Sequence, residues 1–182
     1  MEPTRTVLPE KVIETAAAHV RDVLDLAIEH AAGARALVVS DARSDLATAL
    51  TEAYRRNLSG ATFVAFDGVA PEEVRAAFER LAPGDLVVLI QSTSFRLDRF
   101  RIRLELFARG LKVIEHPHLA RMSGAEAAVY VDALAYDRDY YRGVGAALKE
   151  RIDRARTAVV DSGGERLVYS AGLEPAKLNV GD

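Results

Sequence analysis

Four short runs, three wholly apolar and the fourth broken only by Lys112, constrain this chain more than any other feature: Ala36-Leu37-Val38-Val39, Phe63-Val64-Ala65-Phe66, Leu86 to Ile90 and Leu111 to Ile114. Each is too short for a helix and lacks the alternation of a half-exposed strand, so each reads as a strand covered on both faces. Parallel strands need crossovers of about a dozen residues or more, and the segments between the runs are long enough to supply helical ones. The expected fold is therefore α/β, a Rossmann-like three-layer parallel sheet with right-handed crossovers and helices on both faces. Leu86 to Ile90 is the most apolar run and is placed at the centre.

Helical spacing fills the intervals. Val12, Ile13, Ala16, Val20, Val23, Leu24, Ala27 and Ile28 recur at three and four, predicting a helix from Pro9 to Ala32 that Gly33 ends. Ser44 or Asp45 caps a second helix running to Asn57. Pro71 opens a third, whose acidic Glu72-Glu73 suits the positive end of a helix dipole. Gln91-Ser92-Thr93-Ser94 leads into a fourth ending near Gly110, and two more follow over 125–136 and 138–155. The β/α rhythm then stops. Thr157 to Val160 and Arg166 to Tyr169 flank Asp161-Ser162-Gly163-Gly164-Glu165, a β-hairpin with a glycine turn. On this reading residues 1–156 form the α/β domain, and 157–182 are a hairpin and tail linking to a domain outside this chain.

The fourth helix carries two apolar faces. Stepping 100° per residue from Leu97 puts Phe100, Leu104 and Phe107 on the side expected to cover the sheet, and Phe95, Ile102 and Leu106 on the opposite side among Arg99, Arg103 and Arg109. Such an outward stripe implies a second surface against it. Either a neighbouring element of the same domain covers it, or it is a contact with a catalytic domain or a second subunit, as in a homo-oligomer.

Charge and composition narrow the partners. A net charge of -3 with acidic and basic residues interspersed removes the field that would steer the chain onto nucleic acid. The absence of cysteine removes disulfides and thiolate chemistry and agrees with a reducing compartment. Residues 1–11 have no apolar core for a signal peptide, and no run approaches the length of a membrane span, so a cytoplasmic protein without membrane contact is expected.

The motifs of nucleotide and hydrolase chemistry are missing. The turn after the first strand is Ser40-Asp41-Ala42-Arg43-Ser44, without the glycines that let a backbone approach a pyrophosphate. There is no phosphate-binding G-x-x-x-x-G-K-[ST], no G-x-S-x-G elbow and no H-E-x-x-H. Open α/β sheets bind ligands beyond the carboxyl ends of their strands. The polar residues there, Ser40, Asp41, Asp67, Gln91, Ser92, Ser94, His116 and His118, form the candidate ligand-binding set, with turn chemistry as the plainer reading. In Glu115-His116-Pro117-His118 two imidazoles and a carboxylate could serve zinc or iron, but the ligand count is short and no metal site is assigned. His19 and His30 read as surface or packing residues, and Tyr136, Tyr140 and Tyr141 as helix packing.

The run His116-Pro117-His118-Leu119-Ala120-Arg121-Met122, the two helices after it, the Asp161-Ser162-Gly163-Gly164 turn and the tail Leu173-Glu174-Pro175-Ala176-Lys177-Leu178-Asn179 together resemble the amino-terminal domain of aminopeptidase T-type (leucyl aminopeptidase-like) metallopeptidases. Related ring-opening dihydroxypyridine dioxygenases share the broad arrangement. Glu165 stands where that family tends to carry threonine. The resemblance implies a parent activity of metal-dependent aminopeptidase hydrolysis, with the divalent metal ligands on a separate catalytic domain. No catalytic residue and no cofactor is thereby assigned to this chain. Three functions remain open: a non-catalytic or truncated relative of such an enzyme, a stand-alone small-ligand or regulatory domain, and an assembly module.

Overall fold

The computed structural model describes residues 8–95 and 102–179. The chain forms two compact units, Met1–Ala135 and Tyr136–Asp182. The first unit holds a four-stranded parallel sheet of β1 (Ala36–Ser40), β2 (Thr62–Ala65), β3 (Leu86–Ile90) and β4 (Lys112–His116), in the order β2-β1-β3-β4. Its helices are α1 (Glu10–Asp22), α2 (Asp45–Asn57), α3 (Pro71–Glu79), α4 (Ile102–Ala108) and α5 (Ala125–Asp132).

Side-chain alternation along the two central strands sorts the core into layers. Ala36 and Val38 of β1 and Leu86, Val88 and Ile90 of β3 pack with α1, α2 and α5. Leu37, Val39, Val87 and Leu89 pack with Val74 and Phe78 of α3 and Leu106 of α4. All five residues of β3 are fully buried, which is why that run contains no polar residue. Edge strand β2 is only partly covered. The three-layer α/β expectation holds, with Leu86–Ile90 central as read from its composition.

Three local expectations are corrected. Helix α1 ends earlier than Ala32: it passes into a π turn over Val23–Ala27, and Glu29 takes a positive φ of 50° that stops it. Strand β4 runs to His116, two residues further than its apolar run, because its edge position lets Glu115 enter the ladder while remaining partly exposed. The third correction concerns α4. Leu106 is fully buried against the sheet with Ile102 and Phe95 packed beside it, whereas Leu104 and Phe107 are 61% and 50% exposed. Among the described residues the apolar side that meets the sheet is the one expected outward, so Phe95, Ile102 and Leu106 do not form an outward docking stripe. Two comparably apolar faces leave periodicity without a sign, and Phe95 precedes the described helix rather than belonging to it. Leu97, Arg99 and Phe100 lie outside the described residues. Arg103 pairs with Glu115 on β4 at 3.2 Å, and Arg109 donates to the Phe78 carbonyl at the end of α3 at 3.0 Å.

The second unit contains α6 (Arg138–Arg154) and the antiparallel hairpin of β5 (Ala158–Ser162) and β6 (Glu165–Tyr169). Asp137 caps α6 by accepting the Tyr140 N–H at 2.9 Å. Gly163 and Gly164 form the hairpin turn at φ of 60° and 107°, the left-handed region that a two-residue turn requires and side chains disfavour. The tail returns along α6, where Asp153 accepts the Ala176 N–H at 2.7 Å and Lys149 donates to the Ala176 carbonyl at 2.8 Å. Among the described residues, no helix is long and apolar enough to cross a membrane.

Candidate functional site

Parallel register brings Ala65, Ser40, Ile90 and His116 into one row, so the four strands end level and their following turns share a rim. Most of the candidate polar residues lie there, and hydrogen bonds within the fold engage many of them. The buried Asp41 carboxylate accepts the Ser92 N–H at 2.8 Å and the Arg43 N–H at 3.1 Å, pinning the β1 turn to the β3 turn. The Ser92 hydroxyl donates to Ser44 Oγ at 2.8 Å, and Ser44 in turn accepts the Ala47 N–H as the N-cap of α2. Gln91 donates to Glu115 at 2.8 Å and accepts the Phe95 N–H at 2.7 Å, while its backbone carbonyl accepts the Leu119 N–H at 3.0 Å.

The remaining members are more open. Asp67, after β2, is exposed and paired with Arg43, and this hydrogen-bonded carboxylate raises the guanidinium above its usual range. Ser94 is exposed, Ser40 is half-buried, and His118 is half-buried in the left-handed conformation that starts the 3-10 turn Leu119–Arg121. The rim thus joins Asp41 to Ser92, and Gln91 to Glu115, without assembling all eight residues around one point.

His116 has a different role from that of a rim residue. Its ring turns inward between Tyr54 of α2, whose hydroxyl lies 2.8 Å from Nε2, and Tyr130 of α5, whose hydroxyl lies 2.8 Å from Nδ1. Burial without a nearby carboxylate lowers the imidazole to about 4, and it also pushes the Tyr130 hydroxyl up to about 12 and the Tyr54 hydroxyl higher still. The imidazole is neutral at pH 7. One ring nitrogen therefore donates and the other accepts, with the two tyrosines taking the complementary roles. On α1, His19 Nδ1 donates to the Val131 carbonyl at 2.9 Å, so two histidines fasten adjacent residues of α5.

This arrangement does not fit a metal. Both nitrogens of His116 are committed to tyrosines, and Glu115 is committed to Gln91 and Arg103. Among the described residues, no three His, Asp or Glu side chains are grouped so as to hold a metal ion. Sequence reading missed Tyr54 and Tyr130, which look like ordinary helix residues. The spacing of Ile114 and His116, two apart in a strand, was the available sign that His116 shares the inward face on which Ile114 meets the core. A shallow cleft lies at the opposite rim, lined by Arg35, Thr62, Arg80 and Leu81, away from the candidate set.

Comparison of the chain with protein-family models, with curated proteins and with solved structures gives no match.

Proposed function

We propose that this chain is a non-catalytic α/β domain, of the kind that stands before the catalytic domain in aminopeptidase T-type metallopeptidases, and that it acts by holding a scaffold rather than by breaking bonds. The observation that supports this reading is the engagement of its strongest candidate groups. Asp41 holds two backbone N–H groups, Gln91 bridges Glu115 and Phe95, and both nitrogens of His116 face tyrosine hydroxyls. A general base must reach the proton it removes, and a nucleophile needs a base beside it. Ser92 has Ser44 beside it, which cannot serve as that base, and His116 is enclosed.

The test is to incubate the purified chain with zinc, cobalt or manganese and follow release of the amino-terminal residue from aminoacyl amides. Turnover is expected to match that of the metal alone. Tight stoichiometric zinc together with aminopeptidase activity that disappears in His116→Ala would overturn the reading.

A further inference from the structure

We propose that the carboxyl-terminal unit is a self-association surface, through which α6 and the β5–β6 hairpin of one chain cover the same elements of a second copy. No described residue from Tyr136 to Asn179 is buried. Tyr141, Val144, Leu148 and Ile152 nevertheless make an apolar stripe on α6 at spacings of three, four and four, the pattern of a helix with one covered face. On the hairpin, Val160 pairs with Leu167 and Ala158 with Tyr169 on one face, and Val159 with Val168 on the other. A two-stranded hairpin is marginal alone in water, and this one has apolar residues on both faces.

The amount of surface fits a second protein. Twelve large hydrophobic side chains between residues 140 and 178 stand 39% to 59% exposed. The seven on the α6 stripe and on the Val160–Leu167–Tyr169 face, at about half of a large side chain each, offer on the order of 600 Å² of apolar surface, at the upper end of the roughly 300 to 600 Å² of the largest patch on a typical monomer. One side of a standard interface buries about 800 Å².

Charge and shape favour an identical copy. Residues 136–182 carry eight basic and eight acidic side chains, so the unit has no net field to draw it to nucleic acid or an anionic membrane and none to repel its own kind. A helix stripe and a sheet face are the two halves of one α-on-β layer. The carboxyl-terminal unit carries one of each, and within that unit neither is buried. A two-fold axis lets the stripe of each copy cover the sheet face of the other, so that one contact occurs twice.

Sedimentation equilibrium of the full chain across a wide micromolar range tests this. A species of twice 19.8 kDa is expected. Leu148→Lys and Leu167→Lys should each weaken it by about tenfold or more, as loss of a central apolar anchor does. The double variant Leu104→Lys, Phe107→Lys on α4 should leave it unchanged. Hydrogen exchange of the unaltered protein gives the same answer if a variant misfolds: protection of α6, β5 and β6 should rise with protein concentration. A monomer at every concentration, a dimer broken by the α4 variant alone, or hairpin protection independent of concentration would each overturn the proposal.

Discussion

Strand β3 and the β5–β6 hairpin both draw on valine and leucine and meet opposite fates, the hairpin adding Asp161, Ser162, Glu165 and Arg166 beside its turn. Leu86-Val87-Val88-Leu89-Ile90 is fully buried, whereas Val159, Val160, Leu167, Val168 and Tyr169 are each about half exposed. Local strand preference is similar in both. The difference is in what surrounds them: β3 has a parallel neighbour on each side and helices above and below, while each hairpin strand has one neighbour. Apolar β-branched runs select the extended conformation, and coverage then decides how much each contributes to stability.

The contrast breaks most visibly by charging its buried side. Val88→Asp places an unpaired carboxylate among residues of zero exposure, and it should abolish cooperative unfolding of the sheet unit by circular dichroism. If Val88→Asp melts like the parent protein, the core assignment is wrong.

Acid should act on the same unit through His116. Its folded value of about 4 lies below the ordinary 6.5, so the unfolded chain binds the extra proton first. The stabilisation is fully present above pH 6.5, is lost as pH falls from there to about 4, and amounts to about 3 kcal/mol. Denaturant midpoints measured between pH 7 and 4 should fall accordingly, and His116→Phe should flatten much of that slope. An unchanged slope in the variant would assign the acid sensitivity elsewhere.

Smaller effects are expected at the rim. Asp41→Ala frees the N–H groups of Ser92 and Arg43 and should cost about 1 to 3 kcal/mol in chemical denaturation. Ser44→Ala removes the N-cap of α2 and should cost about 1 kcal/mol, with Ser44→Asp retaining most of it. Least of all, Val168→Ser on the exposed hairpin should shift the sheet unit's midpoint by less than about 0.5 kcal/mol. A larger shift would mean that this face of the hairpin, opposite the one that carries Leu167, is covered as well.

How much of this was readable in advance follows from the same physics. β1 and β3 are legible because full burial removes polar residues from a run, and the hairpin is legible because its turn needs two glycines. The facing of α4 is not, since Ile102 and Leu106 are no more apolar than Leu104 and Phe107, and only packing chooses between them. At the rim, the position of the polar residues at strand ends could be anticipated, but their partners could not. Asp41 and Ser92 lie fifty-one residues apart, and Tyr54 and His116 sixty-two. Contacts at such separations leave no local periodicity to read.

The grip of α6 on the tail has a consequence for sequence tolerance. Asp153 and Lys149 hold the backbone of Ala176 by its N–H and its carbonyl, two bonds in which its side chain takes no part. These two bonds ask only for an amide proton and a carbonyl, and proline is the substitution that removes the donor. The anchoring of the tail by the neighbouring helix is thus independent of the side-chain chemistry at position 176.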